Sequence, residues 1–205
     1  MKKFSGAYGI VIALDQKTVE AAQELVKDVS ADFKTAYAHI TLFHTKLKDA
    51  DPESLKMITE KCHQLMQGQH VTLDRIAVFG SNFLFWDALP SAALTQAHAV
   101  ALELAEFLDQ DLHTHTKGEA LTLTPGQEHN IRTYGHPLVK DDYRPHVTLA
   151  YNHSGFPSTQ EHKSVLHEAI IEKVVFAEIG QFGRVLREIH LRNSTEPSHE
   201  MRRRR

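Results

Sequence analysis

Apolar positions along the chain switch between two spacings. Phe4–Leu14 carries an unbroken Ile/Val/Ala run from Ala7 onward and predicts a buried first strand. Residues 18–29 place Val19, Ala22, Leu25, Val26 and Val29 at helical intervals and predict an amphipathic helix. Residues 37–45 read as a strand. Asp51-Pro52-Glu53 then supplies an N-cap with proline in the first turn, and the helix it opens runs to about Gln67, where Gly68 stops it. Residues 71–79 and 83–86 predict two strands joined across Gly80-Ser81-Asn82. A long helix is expected from Ala92 to about Leu112. Residues 113–142 show little periodicity and read as a long loop, with a short strand at 121–124. Residues 145–151 predict a strand, 158–171 a helix, and 174–179 and 185–191 two closing strands. The tail 193–205 is polar and ends in four arginines, Arg202 to Arg205; it is expected to be a disordered basic tail.

This order repeats roughly, with a strand of the same pattern in each half. His39-Ile40-Thr41-Leu42 lies on the first and His146-Val147-Thr148-Leu149 on the second, about half the chain apart. On a strand, residues i and i+2 share a face. Each motif therefore presents an imidazole beside a hydroxyl, with Ile40/Leu42 or Val147/Leu149 turned to a core. Two such strands facing one cleft supply two groups that titrate near neutrality and two hydroxyl donors. That set suits acid–base chemistry at a phosphate ester, and no cofactor or metal is expected. Phe43, next on the same face by simple alternation, is a candidate for stacking on a base, and Tyr8 is a candidate cleft residue from the first strand. Arg144 is either a phosphate neutraliser or a solvated arginine.

Two copies of His-x-Thr-Leu, the second set in Tyr143-Arg144-Pro145-His146-Val147-Thr148-Leu149-Ala150, resemble the two-histidine (2H) phosphoesterase superfamily. The resemblance is to the bacterial RNA 2',3'-cyclic phosphodiesterases, also called 2'-5' RNA ligases, and runs over residues 4–191. It implies an α+β fold, bilobal and pseudo-two-fold, with two antiparallel sheets lining a central cleft and helices outside. It implies metal-independent chemistry with His39 and His146 as the catalytic pair and Thr41 and Thr148 as phosphate ligands. The chain departs from the bacterial RNA group in carrying Tyr151 where arginine usually follows Ala150, and in the length of the 113–142 connection. Three activities stay open: cleavage of 2',3'-cyclic phosphates or 2'-5' linkages in RNA or small nucleotides, cleavage of a non-RNA cyclic phosphate such as an ADP-ribose derivative, and binding of an RNA end without turnover.

Composition narrows the field. With 205 residues, 41% hydrophobic and 24% charged, the chain suits a single domain over 1–192. A net charge of −3 argues against a duplex-DNA binder. The expected partner is an RNA end or small nucleotide, not a membrane, and the expected state a monomer. One cysteine, Cys62, excludes an internal disulfide and reads as a buried structural thiol. His113, His115, His129 and His136 invite a zinc reading, but no His-Glu-x-x-His or cysteine pair supports it. No leader or membrane-length segment is read, so a cytoplasmic location is expected.

Overall fold

The computed structural model describes residues 3–110, 123–157 and 163–191. The first apolar run forms β1 (Phe4–Leu14), followed by α1 (Gln16–Val26), a two-residue β2 (Phe33–Lys34) and β3 (His39–Ala50). Then come α2 (Pro52–Met66), the hairpin β4 (His70–Phe79) and β5 (Phe83–Ala88), and α3 (Ala92–Ala101). The order closes with α4 (Pro125–Tyr134), β6 (His146–Tyr151), β7 (Lys163–Ile179) and β8 (Val185–Glu188). The fold is α+β, with eight strands and four α-helices among the described residues.

Every strand pairing is antiparallel, and the pairings join the strands into one continuous sheet, not two separate ones. The path β1-β3-β6-β5-β4-β7 returns to β1, because the 17-residue β7 pairs with β4 through Ile170 and with β1 from Ile171 onward. One pair, Ile40↔Val147, links the two motif strands. α2 packs on α3 and β7, and α1 on β6 and β7. The main core between sheet and helices holds Ile10, Ile12, Leu55, Leu73, Trp86 and Phe176. Val11 faces the other way into a smaller cluster with Ala177 and Ile179, so β1 is buried on both faces, as its unbroken apolar run requires. Gly9 permits the close approach of β1 to β3: a Cβ there would sit 2.5 Å from His44 Cβ and 2.7 Å from the Phe43 carbonyl.

Several expectations are corrected. The helix expected over 158–171 is strand from Lys163 onward; residues 158–162 lie outside the described residues. Val165, Leu166, Ala169 and Ile170 fit a helical face, but Val165, His167, Ala169 and Ile171 also fit strand alternation, and pairing with the edge of β4 decides. The helix opened at Ala92 ends at Ala101 and tightens into a 3₁₀ stretch, Leu102–Phe107. Beyond it Leu108 bridges to Leu47 and the Asp109 N–H donates to the Lys46 carbonyl, contacts a continued helix could not make. Residues 111–122 lie outside the described residues, and with them Leu121 and Thr122 of the short strand expected there; Leu123 and Thr124 are not strand.

The long loop holds α4. Thr124 and Gln127 form a reciprocal capping box, Pro125 opens the first turn, and Gly135 closes the helix in the left-handed region at φ +75. These signals stand in the sequence; weak apolar periodicity hid them, since the buried residue of α4 is polar Asn130. Its Nδ2 reaches the Pro137 and Val139 carbonyls and Asp142 Oδ2 at 3.0–3.2 Å, fastening the segment after the helix. Cys62 is buried as expected, with its Sγ 3.5 Å from the Ala97 carbonyl and its thiol pushed up to about 12 by burial. No helix among the described residues is long and apolar enough to cross a membrane.

His98 joins α3 to β3 and to the segment that follows α4. Its Nδ1–H donates to the Leu42 carbonyl at 2.6 Å, and its Nε2 accepts from the Lys140 N–H at 3.0 Å. This assigns a neutral ring, and burial holds its pKa below the usual 6.5. A histidine held neutral in the fold contributes stability above its unfolded pKa and loses it as pH falls through the folded value. Wild-type protein is therefore expected to unfold at lower urea at pH 5.5 than at pH 7.5, and His98→Gln to reduce the difference. Equal midpoints at the two pH values for wild type would reject this account.

Candidate active site

The motif strands place their side chains as alternation predicts. Ile40, Leu42, Val147 and Leu149 are at most 1% exposed and enter the core. Thr41, His146 and Thr148 turn the other way and line a cavity of about 400 Å³, within the range of small-ligand sites. His39 is buried beside it: its Nε2 lies 3.1 Å from the carbonyl of Gly183, and Gly183 itself lines the cavity.

The two histidines are held differently. His146 Nδ1–H donates to the Arg144 carbonyl at 2.7 Å, which leaves Nε2 as the ring's acceptor. The ring stacks on Phe85 at 3.6 Å between centroids. Burial pushes its pKa down to about 4; the Arg144 carbonyl and Asp87 oppose this, and the Arg144 and His39 charges add to it. His39 Nδ1 lies 2.9 Å from the Tyr37 carbonyl, so both its ring nitrogens meet carbonyl oxygens. A doubly protonated ring donates to both. Burial opposes that charge and holds His39 below the ordinary 6.5, against the pull of the two carbonyls.

Two candidates sit elsewhere than alternation predicts. Ile10 pairs with Phe43 and Val11 with Thr41, so Leu42 is the extra residue of a β-bulge. The alternation reverses there: Phe43 joins the core at 2% exposure, though it still borders the cavity, and His44 takes the cleft-facing place. Tyr8 stacks on Phe176 at 5.3 Å and meets Phe4 edge-on at 5.5 Å; the cavity wall on β1 is Ala7 instead.

Sequence reasoning missed the β5 wall. Phe83 and Phe85 face the cavity, while Leu84 and Trp86 face the core. The run Phe83-Leu84-Phe85-Trp86 is apolar throughout, so no pattern marked one side as a site. Phe182 completes this aromatic side, in the left-handed region at φ 60 and stacked on Tyr151 at 3.9 Å. Tyr151 is thus buried under a ring at the position where the bacterial RNA group carries arginine. Arg144 lines the cavity and is not a solvated arginine: its guanidinium is bound to Asp87. His136, from the segment after α4, meets His44 edge-on at 4.6 Å. Among the described residues no three His, Cys, Asp or Glu side chains converge as a metal site requires; His113 and His115 lie outside them.

The family model described as the 2'-5' RNA ligase superfamily matches residues 13–169, a span that includes both motifs. The chain belongs to that superfamily, and membership supports phosphodiester chemistry of the two-histidine phosphoesterase or ligase kind. No curated protein is significantly similar in sequence.

Proposed function

We propose that the protein is a metal-independent phosphodiesterase that opens 2',3'-cyclic phosphates, or cuts 2'-5' linkages, of small nucleotides or RNA ends. The observation that carries this is the common cavity wall of His146, Thr41 and Thr148, with His39 at its Gly183 edge. His146, neutral and with Nε2 as acceptor, is the base that takes a proton from water. Water oxygen attacks phosphorus, the bond to one ribose oxygen breaks, and His39 gives its Nε2 proton to that departing oxygen. The leaving oxygen takes the place on Nε2 that the Gly183 carbonyl holds in the free protein. The Thr41 and Thr148 hydroxyls donate to the non-bridging oxygens, where charge develops. Phe83 and Phe182 are the cavity-wall rings offered to a nucleobase.

A pseudo-two-fold relation between the motifs belongs to the same reading. It is supported by the Ile40↔Val147 pair, since an antiparallel pairing of equivalent positions is the register a local two-fold axis would produce. The partner in this proposal is a nucleotide or RNA end, the acting species a cytoplasmic monomer.

The test is hydrolysis of the four nucleoside 2',3'-cyclic monophosphates and a 2'-5' dinucleotide in EDTA, with 2'- and 3'-phosphate products resolved. Turnover in EDTA is the expected result. A folded protein that turns over none of them rejects the proposal and favours an RNA-end binder. The pH profile tests the assigned roles. Burial lowers both histidines, His146 to about 4 and His39 below 6.5. With a neutral base and a protonated acid both required, and both histidines lowered by burial, kcat/KM is expected to peak on the acid side of the ordinary histidine value. An optimum above pH 7.5 would overturn the assignment.

A further inference from the structure

We propose that Asp87 and Arg144 form a positioning pair that fixes the ring orientation and tautomer of His146. The inference rests on the reading of His146 as the base. Arg144 Nε donates to Asp87 Oδ1 and a terminal nitrogen to Oδ2, both at 2.8 Å, the two-pronged geometry that fixes a guanidinium in its plane. Asp87 is 7% exposed and stands directly across from His146 in the β5–β6 pairing.

Arg144 reaches the His146 ring twice. Its backbone carbonyl accepts the Nδ1–H, and its guanidinium lies 5.6 Å from the centre of the Phe85 ring, which stacks on the imidazole. Pro145 follows, which restricts Arg144 to extended backbone, and the Pro145 carbonyl accepts from the Ala88 N–H, next to Asp87. One carboxylate thus holds a side chain whose residue sets both the edge and, through Phe85, the face of the imidazole. A buried carboxylate in turn needs that partner. Arg75 adds a single bond to Asp87 at 3.2 Å and does not line the cavity.

The competing role for Arg144 is direct binding of the substrate phosphate, and the two roles separate experimentally. Asp87→Asn and Arg144→Gln are compared with wild type for kcat, KM, pH profile and the tautomer of His146, read by long-range ¹H–¹⁵N correlation on histidine-labelled protein. Wild type is expected to show the Nδ1–H form. Both variants are expected to lose roughly 10-fold or more in kcat with mixed tautomers, as losses of groups that orient a histidine do, while KM stays within about threefold.

The charges acting on His146 are Asp87, Arg144 and His39. Asp87→Asn leaves a cation beside the ring and moves the acid limb to lower pH; Arg144→Gln leaves an anion and moves it to higher pH. Arg144→Lys keeps the charge without the fork, so it loses kcat with little movement of the limb. Arg75→Gln is expected to match wild type. A raised KM at unchanged kcat in Arg144→Gln would make Arg144 a phosphate ligand and overturn the proposal. So would an unaltered Nδ1–H tautomer in the folded variants. If Asp87→Asn does not fold, Asp87→Glu and the Arg144 variants carry the comparison. If the wild type turns over no nucleotide, the function proposed above fails while the tautomer measurement still decides the positioning role.

Discussion

His146→Ala is expected to lower kcat/KM on a 2',3'-cyclic nucleotide by about 10²- to 10⁴-fold, the range general acid–base groups supply, and His39→Ala to do the same. The two losses should not add. Removing the base leaves water undeprotonated whether or not an acid waits for the leaving oxygen, so the double variant should fall little below the worse single one. The two sites carry different structural loads. His146 lies on the cavity wall, and its removal leaves the Arg144 carbonyl beside open space. His39 is 7% exposed with both nitrogens on carbonyls, so alanine there also strands two acceptors. His39→Gln is the milder probe, retaining a donor near Gly183. Steady-state kinetics with melting curves separate the effects; either alanine variant within tenfold of wild type, while folded, would sink the two-histidine mechanism.

The second large effect is on stability. Trp86→Ala is expected to cost about 3–5 kcal/mol, a large share of the roughly 5–15 kcal/mol that holds an ordinary domain together. Trp86 is 1% exposed in the core, its Nε1–H donates to the Val165 carbonyl at 2.9 Å, and its ring tilts against His167 at 5.3 Å. It ties β5 to β7, and its chain neighbours are Phe85 on the cavity wall and Asp87 across from His146. Trp86→Phe should cost about 1–3 kcal/mol, chiefly for the carbonyl left without its donor. Urea denaturation measures both; an alanine variant within about 1 kcal/mol of wild type would mean the core closes over the gap.

The motifs were legible because they use the shortest pattern a strand offers, two residues on one face, and carry their core partners with them. His39, Thr41, His146 and Thr148 needed no long-range information. Phe43 did: a bulge inserts a residue without any mark in the side chains, so alternation fails one step past Leu42. Asp87 was invisible for a different reason. Its role comes from lying across from His146, and strand pairing between β5 and β6 is written in no local spacing. The first half of β7 was misread because its apolar residues satisfy both periods, and α4 because its capping signals stand where apolar periodicity is weak.

β7 also sets a condition on how the chain is made. Both β1 and β4 take it as a partner, although β1 lies at the start of the sequence and β7 begins only at Lys163. During synthesis from the N-terminus, β1 can pair with β3 and β4 with β5 long before β7 leaves the ribosome. Until then two apolar strands wait with open edges, the form of β-structure most prone to pair with the wrong chain. A ribosome paused before Lys163 would hold both strand pairs unsealed, so closing the sheet waits on roughly the last fifth of the chain.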